Sequence, residues 1–286
     1  MNTTGKQLLF LGAGTLLGYA LARRQQAEEP GRLSRAERAG RAKIQQKMEQ
    51  LRQAYEAQDR ARRDFTANVS HELKTPLTSI SGYAEIIREG LVRTEDVGRF
   101  AGKIYEEAQR LIALVEDILN LSCLDEGAPP QEQLVKVDLY RLCEEALASL
   151  EEPARQRGIQ MTLSGQHRMV NGSEKILREI VYNLCDNAVK YNKEQGSVEV
   201  SVTQEGKRVV LCVQDTGIGI APEETERVFE RFYRVDKSHS KEIGGTGLGL
   251  SIVKHAAACH DAQVKLDSQL DRGTRVQVFF YPAEEA

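Results

Sequence analysis

The spacing of apolar residues changes character several times along this chain. Leu8 to Ala22, LLFLGAGTLLGYALA, carries no charge. From Gly31 to Asp64 the chain turns to Arg, Gln, Glu and Ala, all good helix formers. Within it Ile44, Met48, Leu51 and Tyr55 follow a 4-3-4 spacing, which predicts a short coiled-coil seam in a parallel dimeric stalk, a solvated single helix being the alternative. The seam fades in EAQDRARRD, and apolar character resumes at Phe65 and Val69. The helix is predicted to run on through FTANVSHELKTPLTSISGYAEIIREG until Gly90 stops it. After LVRTED a second helix is expected, with Thr94 as N-cap and Glu95 and Asp96 in the first turn. It reaches about Leu124 with Val97, Phe100, Ile104, Leu111, Leu114, Val115, Ile118 and Leu121 on one broad face. Two such helices make an antiparallel hairpin that encloses little core, so a dimeric four-helix bundle is expected.

Beyond the polar linker DEGAPPQEQ the pattern alternates. Strands are predicted at Val135 to Val137, Ile159 to Leu163, Val198 to Thr203, Arg208 to Gln214, Val264 to Leu266 and Thr274 to Tyr281. Helices are predicted at Leu139 to Gln156, Lys175 to Tyr191 and Leu248 to Cys259. This is an α/β sandwich of one mixed sheet under helices. The expected domains are a membrane anchor (1–24), a helical coiled-coil linker (25–62), the hairpin (63–126), a linker (127–133) and the α/β domain (134–286).

Charge changes the picture at the N-terminus. The whole chain of 286 residues carries −3, which argues against nucleic acid as a partner, yet Arg23 to Asp64 holds 12 Lys/Arg against 7 Asp/Glu, a local +5. A basic flank after the apolar segment places residues 23 onward in the cytoplasm by the positive-inside rule. Fifteen helical residues rise about 22 Å, short of a ~30 Å hydrocarbon core, and snorkelling of Lys6, Arg23 and Arg24 covers the deficit. Gly14 and Gly18 form a G-x-x-x-G pair suited to packing two such helices. A signal peptide cleaved after ALA is the alternative reading. Too few residues precede the segment for an external sensor domain to be expected. Five scattered cysteines with no C-x-x-C pair suggest buried thiols in a reduced compartment. His255, Cys259 and His260 are close in sequence, but one helix supplies too few ligands for a metal site.

Candidate chemistry begins at VSHELKTPL. His71 lies roughly 200° round the helix from Val69 and Leu73, so it faces solvent with a free nucleophilic nitrogen at neutral pH. Glu72 beside it can orient the ring or take a proton, and Thr75 at i+4 shares its face. Pro76 deprives the Glu72 carbonyl of its usual partner and permits a bend. In the α/β domain, NLCDNAVKYN sets Asn183, Asn187 and Lys190 on one helix face, where amide oxygens suit a magnesium shell and the ammonium suits phosphate. QDTGIGI follows a strand, with Asp215 able to accept from an exocyclic amine and Gly217 and Gly219 allowing close backbone approach. GGTGLGLS opens a helix, an arrangement that attracts phosphate, but it matches neither a P-loop nor a dinucleotide fingerprint.

FTANVSHELKTPLTSISGYAEII resembles the dimerisation and phosphotransfer helix of bacterial sensor histidine kinases, close to the phosphate-regulon type. The later motifs, with FERFYR and RGT, resemble the N, G1, F and G2 boxes of the ATP-binding fold shared by those kinases, gyrases and the ninety-kilodalton heat-shock chaperones. The resemblance spans about residues 60 to 282. It implies that His71 accepts the γ-phosphoryl of ATP, that Glu72 assists the proton transfer, and that Thr75 positions water for dephosphorylating a partner. It implies an ATP site of Asn183, Asn187, Lys190 and Tyr191, then Asp215, Gly217, Gly219 and Arg231, then Gly244, Gly245, Thr246, Gly247, Leu248 and Gly249, with Thr274. Within that set Asn187 is assigned to Mg²⁺, Asp215 to the adenine amine and the glycine run to the phosphates. Asn183 stands where ATP-hydrolysing relatives carry a glutamate base, which favours transfer to histidine. VDKSHSKEI resembles the mobile lid, with His239 a departure, as are Asp261 for glycine and Asn192 where the family often has Ser or Thr. The implied whole is a single-pass bacterial membrane protein with a cytoplasmic catalytic region. It would be a homodimer whose partner is a response regulator carrying an acceptor aspartate. An enzyme that mainly dephosphorylates its regulator and a non-catalytic tether that sequesters it are the competing functions.

Overall fold

The computed structural model describes residues 35–125, 134–235 and 245–283. It divides into two compact units, one ending at Asp64 and one running from Phe65 onward. The segment 8–22 with Gly14 and Gly18, the 127–133 linker, Gly244 and lid residues 236–243 lie outside the described residues.

Helix α1 spans Arg35–Arg88. In the first unit it carries Arg52–Glu56 and Asp59–Arg63 ion pairs at 2.9 Å, one turn apart. Ile44, Met48, Leu51 and Tyr55 are all exposed there. In the second unit the helix continues through a buried Pro76. Hydroxyls around it donate one turn back, Thr75 to the His71 carbonyl at 3.2 Å, Thr78 to that of Lys74 at 2.8 Å and Ser79 to that of Thr75 at 3.3 Å. Gly90, at φ 68°, ends the helix: its N–H reaches the Ile87 carbonyl and the Leu91 N–H reaches that of Ile86.

The next helix, α2, spans Val97–Asp125. Thr94 does not cap it, contrary to expectation. Thr94–Asp96 forms a 3₁₀ turn with no side-chain cap, closed by the Asp96 N–H on the Arg93 carbonyl. Of the expected broad face, Phe100, Ile104, Leu111, Leu114, Ile118 and Leu121 are buried or half-buried and Val97 and Val115 are exposed; a second apolar stripe was not expected. Leu114, Leu121 and Leu124 are buried against the last helix of the α/β domain, while Tyr105, Ile112, Val115 and Leu119, at a/d-type spacing on the opposite side, are exposed.

The α/β domain holds β1 (Val135–Asp138), α3 (Leu139–Gln156), β2 (Gln160–Gly165), β3 (Met169–Gly172), α4 (Glu174–Lys190), β4 (Ser197–Glu205), β5 (Arg208–Asp215), α5 (Gly249–Ala258), β6 (Gln263–Gln269) and β7 (Gly273–Phe280). One mixed sheet was expected; there are two. The larger has the order β2-β4-β5-β7-β6, with β2 parallel to β4 and the other pairs antiparallel. The smaller joins β1 to β3, a strand the sequence pattern did not suggest. Alternation along β4 buries Val198, Val200 and Val202 and exposes Glu199, so one face of the sheet takes the helices. Leu139, Leu177, Ile180, Leu211 and Ile252 are fully buried between them, each contributing about 1.5–3 kcal/mol by leaving water. That core holds the C-terminal end of α4, the end of β5 and the start of α5 side by side. Of the five thiols only Cys143 and Cys185 are buried, and burial pushes both above the ordinary thiol range.

Candidate active site

His71 projects from α1 with its side chain 79% exposed. Its Nδ1 lies 3.8 Å from Glu72 Oε1. Glu72 Oε2 in turn lies 3.7 Å from the guanidinium of Arg234, in the FERFYR segment, and Arg234 also donates to the Gly245 carbonyl. Phe65, two helical turns before His71 on α1, meets the Phe232 ring at 5.7 Å and lies under the Arg231 guanidinium at 5.2 Å. So an aromatic contact and an ion pair flank His71 without covering it. Thr75 has its hydroxyl turned onto the His71 carbonyl.

A cavity of about 500 Å³ opens between α4, the end of β5 and the start of α5. Asn183, Asn187, Lys190 and Tyr191 line it from the C-terminal end of α4; Asp215 and Thr274 from the sheet; Gly219 from the loop after β5; Gly245, Thr246, Gly247 and Gly249 from the glycine turn. Of the remaining candidates, Leu248 is wholly buried in the core, and Gly217 packs against the Tyr191 carbonyl. Arg231 is bonded to His255 Nε2 at 3.0 Å instead of lining the cavity.

Local constraints explain two of the glycines. Gly219 has φ 66°, and a Cβ there would lie 2.0 Å from the Gln269 carbonyl oxygen. Gly249 begins α5 directly against the amides of α4, where a Cβ would sit 2.8 Å from Asn183 Oδ1 and 3.3 Å from Asn187 Nδ2. The two α4 amides therefore meet the N-terminal end of α5, whose free N–H groups favour anions.

The electrostatics are graded along the cavity. Asp215 Oδ1 accepts from the Gly217 N–H at 2.8 Å and the Thr274 N–H at 3.2 Å, which fixes the carboxylate plane. Burial pushes this carboxyl up to about 6, against the pull of both amides. Burial opposes the charge on Lys190, but Asp186 at 2.7 Å outweighs it and holds the ammonium above its usual range. Sequence reasoning missed one wall. Glu116, Asp117 and Asn120 line the cavity from α2, and Asp117 accepts from the Thr246 hydroxyl at 2.6 Å. Burial raises the Asp117 carboxyl, and burial followed by the Asp117 charge raises Glu179. The signal available was an acidic pair, ED, inside the apolar run LIALVEDILNL.

Among the described residues no group of three or more His, Cys, Asp and Glu side chains is set to hold a metal. The rings of His255 and His260 are engaged in hydrogen bonds: His260 Nε2 accepts from the Ser173 N–H at 3.1 Å. Among the described residues no helix is long and apolar enough to cross a membrane.

Residues 61–127 match the family described as His Kinase A (phospho-acceptor) domain, and residues 172–285 that described as histidine kinase-, DNA gyrase B-, and HSP90-like ATPase. The sensor-like histidine kinase SenX3 of Mycobacterium bovis is 39% identical over 221 residues, covering 77% of this chain and 54% of that protein. The phosphate regulon sensor protein PhoR of Pseudomonas aeruginosa is 37% identical over 242 residues, covering 80% of this chain and 52% of that one. The chain thus spans about half the length of these curated relatives. The structure of full-length ShkA in complex with AMPPNP is similar with a TM-score of 0.58 and 28% identity, over 77% of this chain and 46% of that one.

Proposed function

Since the chain belongs to the two-component sensor histidine kinases, close to the phosphate-regulon type, we propose that it phosphorylates its own His71 from Mg-ATP. The phosphoryl group would then pass to an aspartate of a response regulator. The observation that carries this reading is the pairing, within one compact unit, of an exposed histidine with a cavity that grades from a fixed, half-buried carboxylate to a glycine turn at a helix start.

Adenine is read at Asp215, whose second oxygen is left to accept from the exocyclic amine. The phosphates run toward Lys190 and the glycine turn at the start of α5. Asn187 and Asn183 offer hard amide oxygens, a fitting donor set for Mg²⁺, with Asn187 the protein ligand. Mg²⁺ held there supplies charge neutralisation on the transferring phosphoryl group. At His71 the Nδ1 side faces Glu72, which leaves Nε2 as the attacking atom. The new bond is N–P, the broken one is the γ-phosphorus–oxygen bond to ADP, and the Nδ1 proton passes to Glu72. Thr75 would serve the reverse traffic, orienting water for dephosphorylation of the regulator once its hydroxyl turns off the His71 carbonyl.

We extend the reading to assembly and location. The exposed stripe Tyr105, Ile112, Val115 and Leu119 suits a second copy of the hairpin, and Ile44, Met48, Leu51 and Tyr55 a second copy of the stalk. Residues 8–22 would anchor this homodimer in the cell membrane as a single pass, with the catalytic region cytoplasmic.

The test is to incubate the full chain in detergent with Mg²⁺ and γ-labelled ATP, beside its His71→Ala and Asn187→Ala variants. Acid-labile, alkali-stable label is expected on the parent alone. His71→Ala should bind ATP as the parent does, and Asn187→Ala should lose both properties. Label persisting in His71→Ala would remove His71 as the acceptor.

A further inference from the structure

Asn192, just past the end of α4, is 3% exposed and does not itself line the cavity. Its side chain uses its whole hydrogen-bonding capacity. Nδ2 donates to the Ala188 carbonyl at 3.0 Å and to the Ser197 carbonyl at 2.9 Å. Oδ1 accepts from the Lys193 N–H at 2.9 Å and from the Thr216 hydroxyl at 3.2 Å. The Thr216 hydroxyl accepts the Ser197 N–H at 2.8 Å. One amide therefore ties three segments together: the last turn of α4, the first residue of β4, and the residue after Asp215.

The surroundings are built for this amide. A Cβ at Gly196 would lie 2.1 Å from Asn192 Oδ1 and 2.8 Å from the Thr216 hydroxyl. Arg157 fixes the same helix end from the other side, donating to the carbonyls of Val189, Lys190 and Asn192. The Ile218 N–H bonds the Tyr191 carbonyl at 3.1 Å, so the strand end and the helix end run locked past each other. Both locked ends carry nucleotide-site residues, Asn187 and Lys190 on α4, and Asp215 at the end of β5 with Gly217 and Gly219 in the loop that follows. A serine or threonine at 192 has one donor and a shorter reach, and could not make both Nδ2 bonds.

We infer that Asn192, acting through Thr216, is a positioning residue that holds Asp215 in register with the amides of α4 and so sets the selectivity of the site for the 6-amino group of adenine. This rests on the nucleotide-binding reading above. Asp215 can reject a base bearing oxygen at that place only while its carboxylate is held still, because a loose one rotates away from the clash. Loosening the knot costs the adenine nucleotide its bond and gives the 6-oxo nucleotide relief.

The experiment measures equilibrium binding of Mg-ATP and Mg-ITP to the full-length protein, with thermal melting alongside. The parent should prefer ATP strongly. Asn192→Ala should weaken ATP by about tenfold and ITP by less than about twofold, so the ratio collapses. Thr216→Val, a milder cut that keeps the buried amide, should move the ratio the same way by about threefold and decides the matter if Asn192→Ala does not fold. A purely structural role predicts lower melting with both affinities falling by one factor, and that result, or no change, overturns the inference. A parent that binds neither nucleotide fells the nucleotide-site reading itself and this inference with it. A parent that binds both equally overturns only the selectivity.

Discussion

His71 and Asp215 are handled in opposite ways by the same chain. The His71 side chain is 79% exposed, and its Nδ1 stands 3.8 Å from the Glu72 carboxylate. Asp215 is half-buried, with one oxygen held by two backbone amides and its carboxyl pushed up to about 6. The difference lies in what each would have to meet. A phosphoacceptor must be reached first by a nucleotide and later by a regulator, so it gains from exposure and loses from fixed partners. A base-reading group meets one flat ligand in one pose, so preorganisation repays its desolvation. The first has little to lose structurally when cut away, the second a great deal.

The largest expected effect separates the two regions completely. His71→Ala should end label incorporation and leave ATP affinity within about twofold, because the ring has no buried partner to orphan. Gly219→Ala should do the reverse of sparing the fold. A Cβ there meets the Gln269 carbonyl oxygen at 2.0 Å in a backbone held at φ 66°, a strain of about 1–3 kcal/mol before any clash is counted. Loss of ATP binding with a lowered melting temperature is the expected pair of readings. An alanine variant that binds ATP normally would show that the loop after β5 is not rigid, and its contrast with the exposed His71 would fail.

Proton linkage sharpens the comparison. The folded Asp215 carboxyl is raised above its unfolded value, so the ionised form is disfavoured in the fold and the unliganded protein gains stability as pH falls through about 6. ATP affinity should run the other way, since the adenine amine needs the ionised acceptor, falling by up to about tenfold per pH unit below that point. Asp215→Asn should flatten the affinity profile. His260 contributes stability of opposite sign: burial depresses it, so its share is present above the usual histidine value and is lost as pH falls. Asp117 and Glu179, also raised by burial, add to the Asp215 sign, so the Asp215 share is read as the difference between the parent and Asp215→Asn melting curves. An ATP affinity that does not change between pH 7.5 and pH 5 would sink the assignment of Asp215 to the base.

A smaller effect tests the wall that the hairpin adds to the cavity. Asp117 accepts from Thr246 in the glycine turn, with Glu116 close by and Glu179 facing it from α4. A carboxylate there repels the phosphates of ATP. Asp117→Asn keeps an acceptor for Thr246 and removes the charge. At pH 8 it should tighten ATP by about three- to tenfold, more at low salt than at high. Equal affinities at low salt would mean that the nucleotide phosphates lie away from α2.

What the sequence made legible was local chemistry and period. Helix α3 was bounded from the apolar rhythm alone, and Gly90 was correctly expected to stop α1. Strand β3 was missed because MVNG spans four residues, too short for a period of two to declare itself, and because its partner β1 lies more than thirty residues away. The exposed stripe of Tyr105, Ile112 and Leu119 on α2 was missed because periodicity picked out one apolar face and does not say that a partner would cover a second. Most of the candidate site was readable because its glycines and amides are clustered in three short runs. Asp117 was not, since its meaning depends on Thr246, a pairing that only tertiary packing creates. Arg231 was expected in the site and is bound to His255, while Arg234 lines the cavity, a distinction between FERFYR's two arginines that no spacing could draw.

The smallest effect is predicted on the exposed side, where glycine should be dispensable. Gly82 lies eleven residues after His71 and therefore on nearly the same face of α1, with nothing within 4 Å of where a Cβ would stand. That face points away from Val69 and Leu73, the sides that pack, so a methyl group there meets neither the α/β domain nor, in the proposed bundle, a second hairpin. Glycine in a helix interior gives up more backbone entropy than alanine on folding. Gly82→Ala should accordingly stabilise the protein by about 0.5–1 kcal/mol, read as a raised denaturation midpoint with an unchanged slope. Label incorporation at His71 should stay at the parent level, because the added methyl is three helical turns from the imidazole. Destabilisation instead would mean that this face is covered in the assembled protein, and the exposure assigned to His71 would then have to be measured in the dimer.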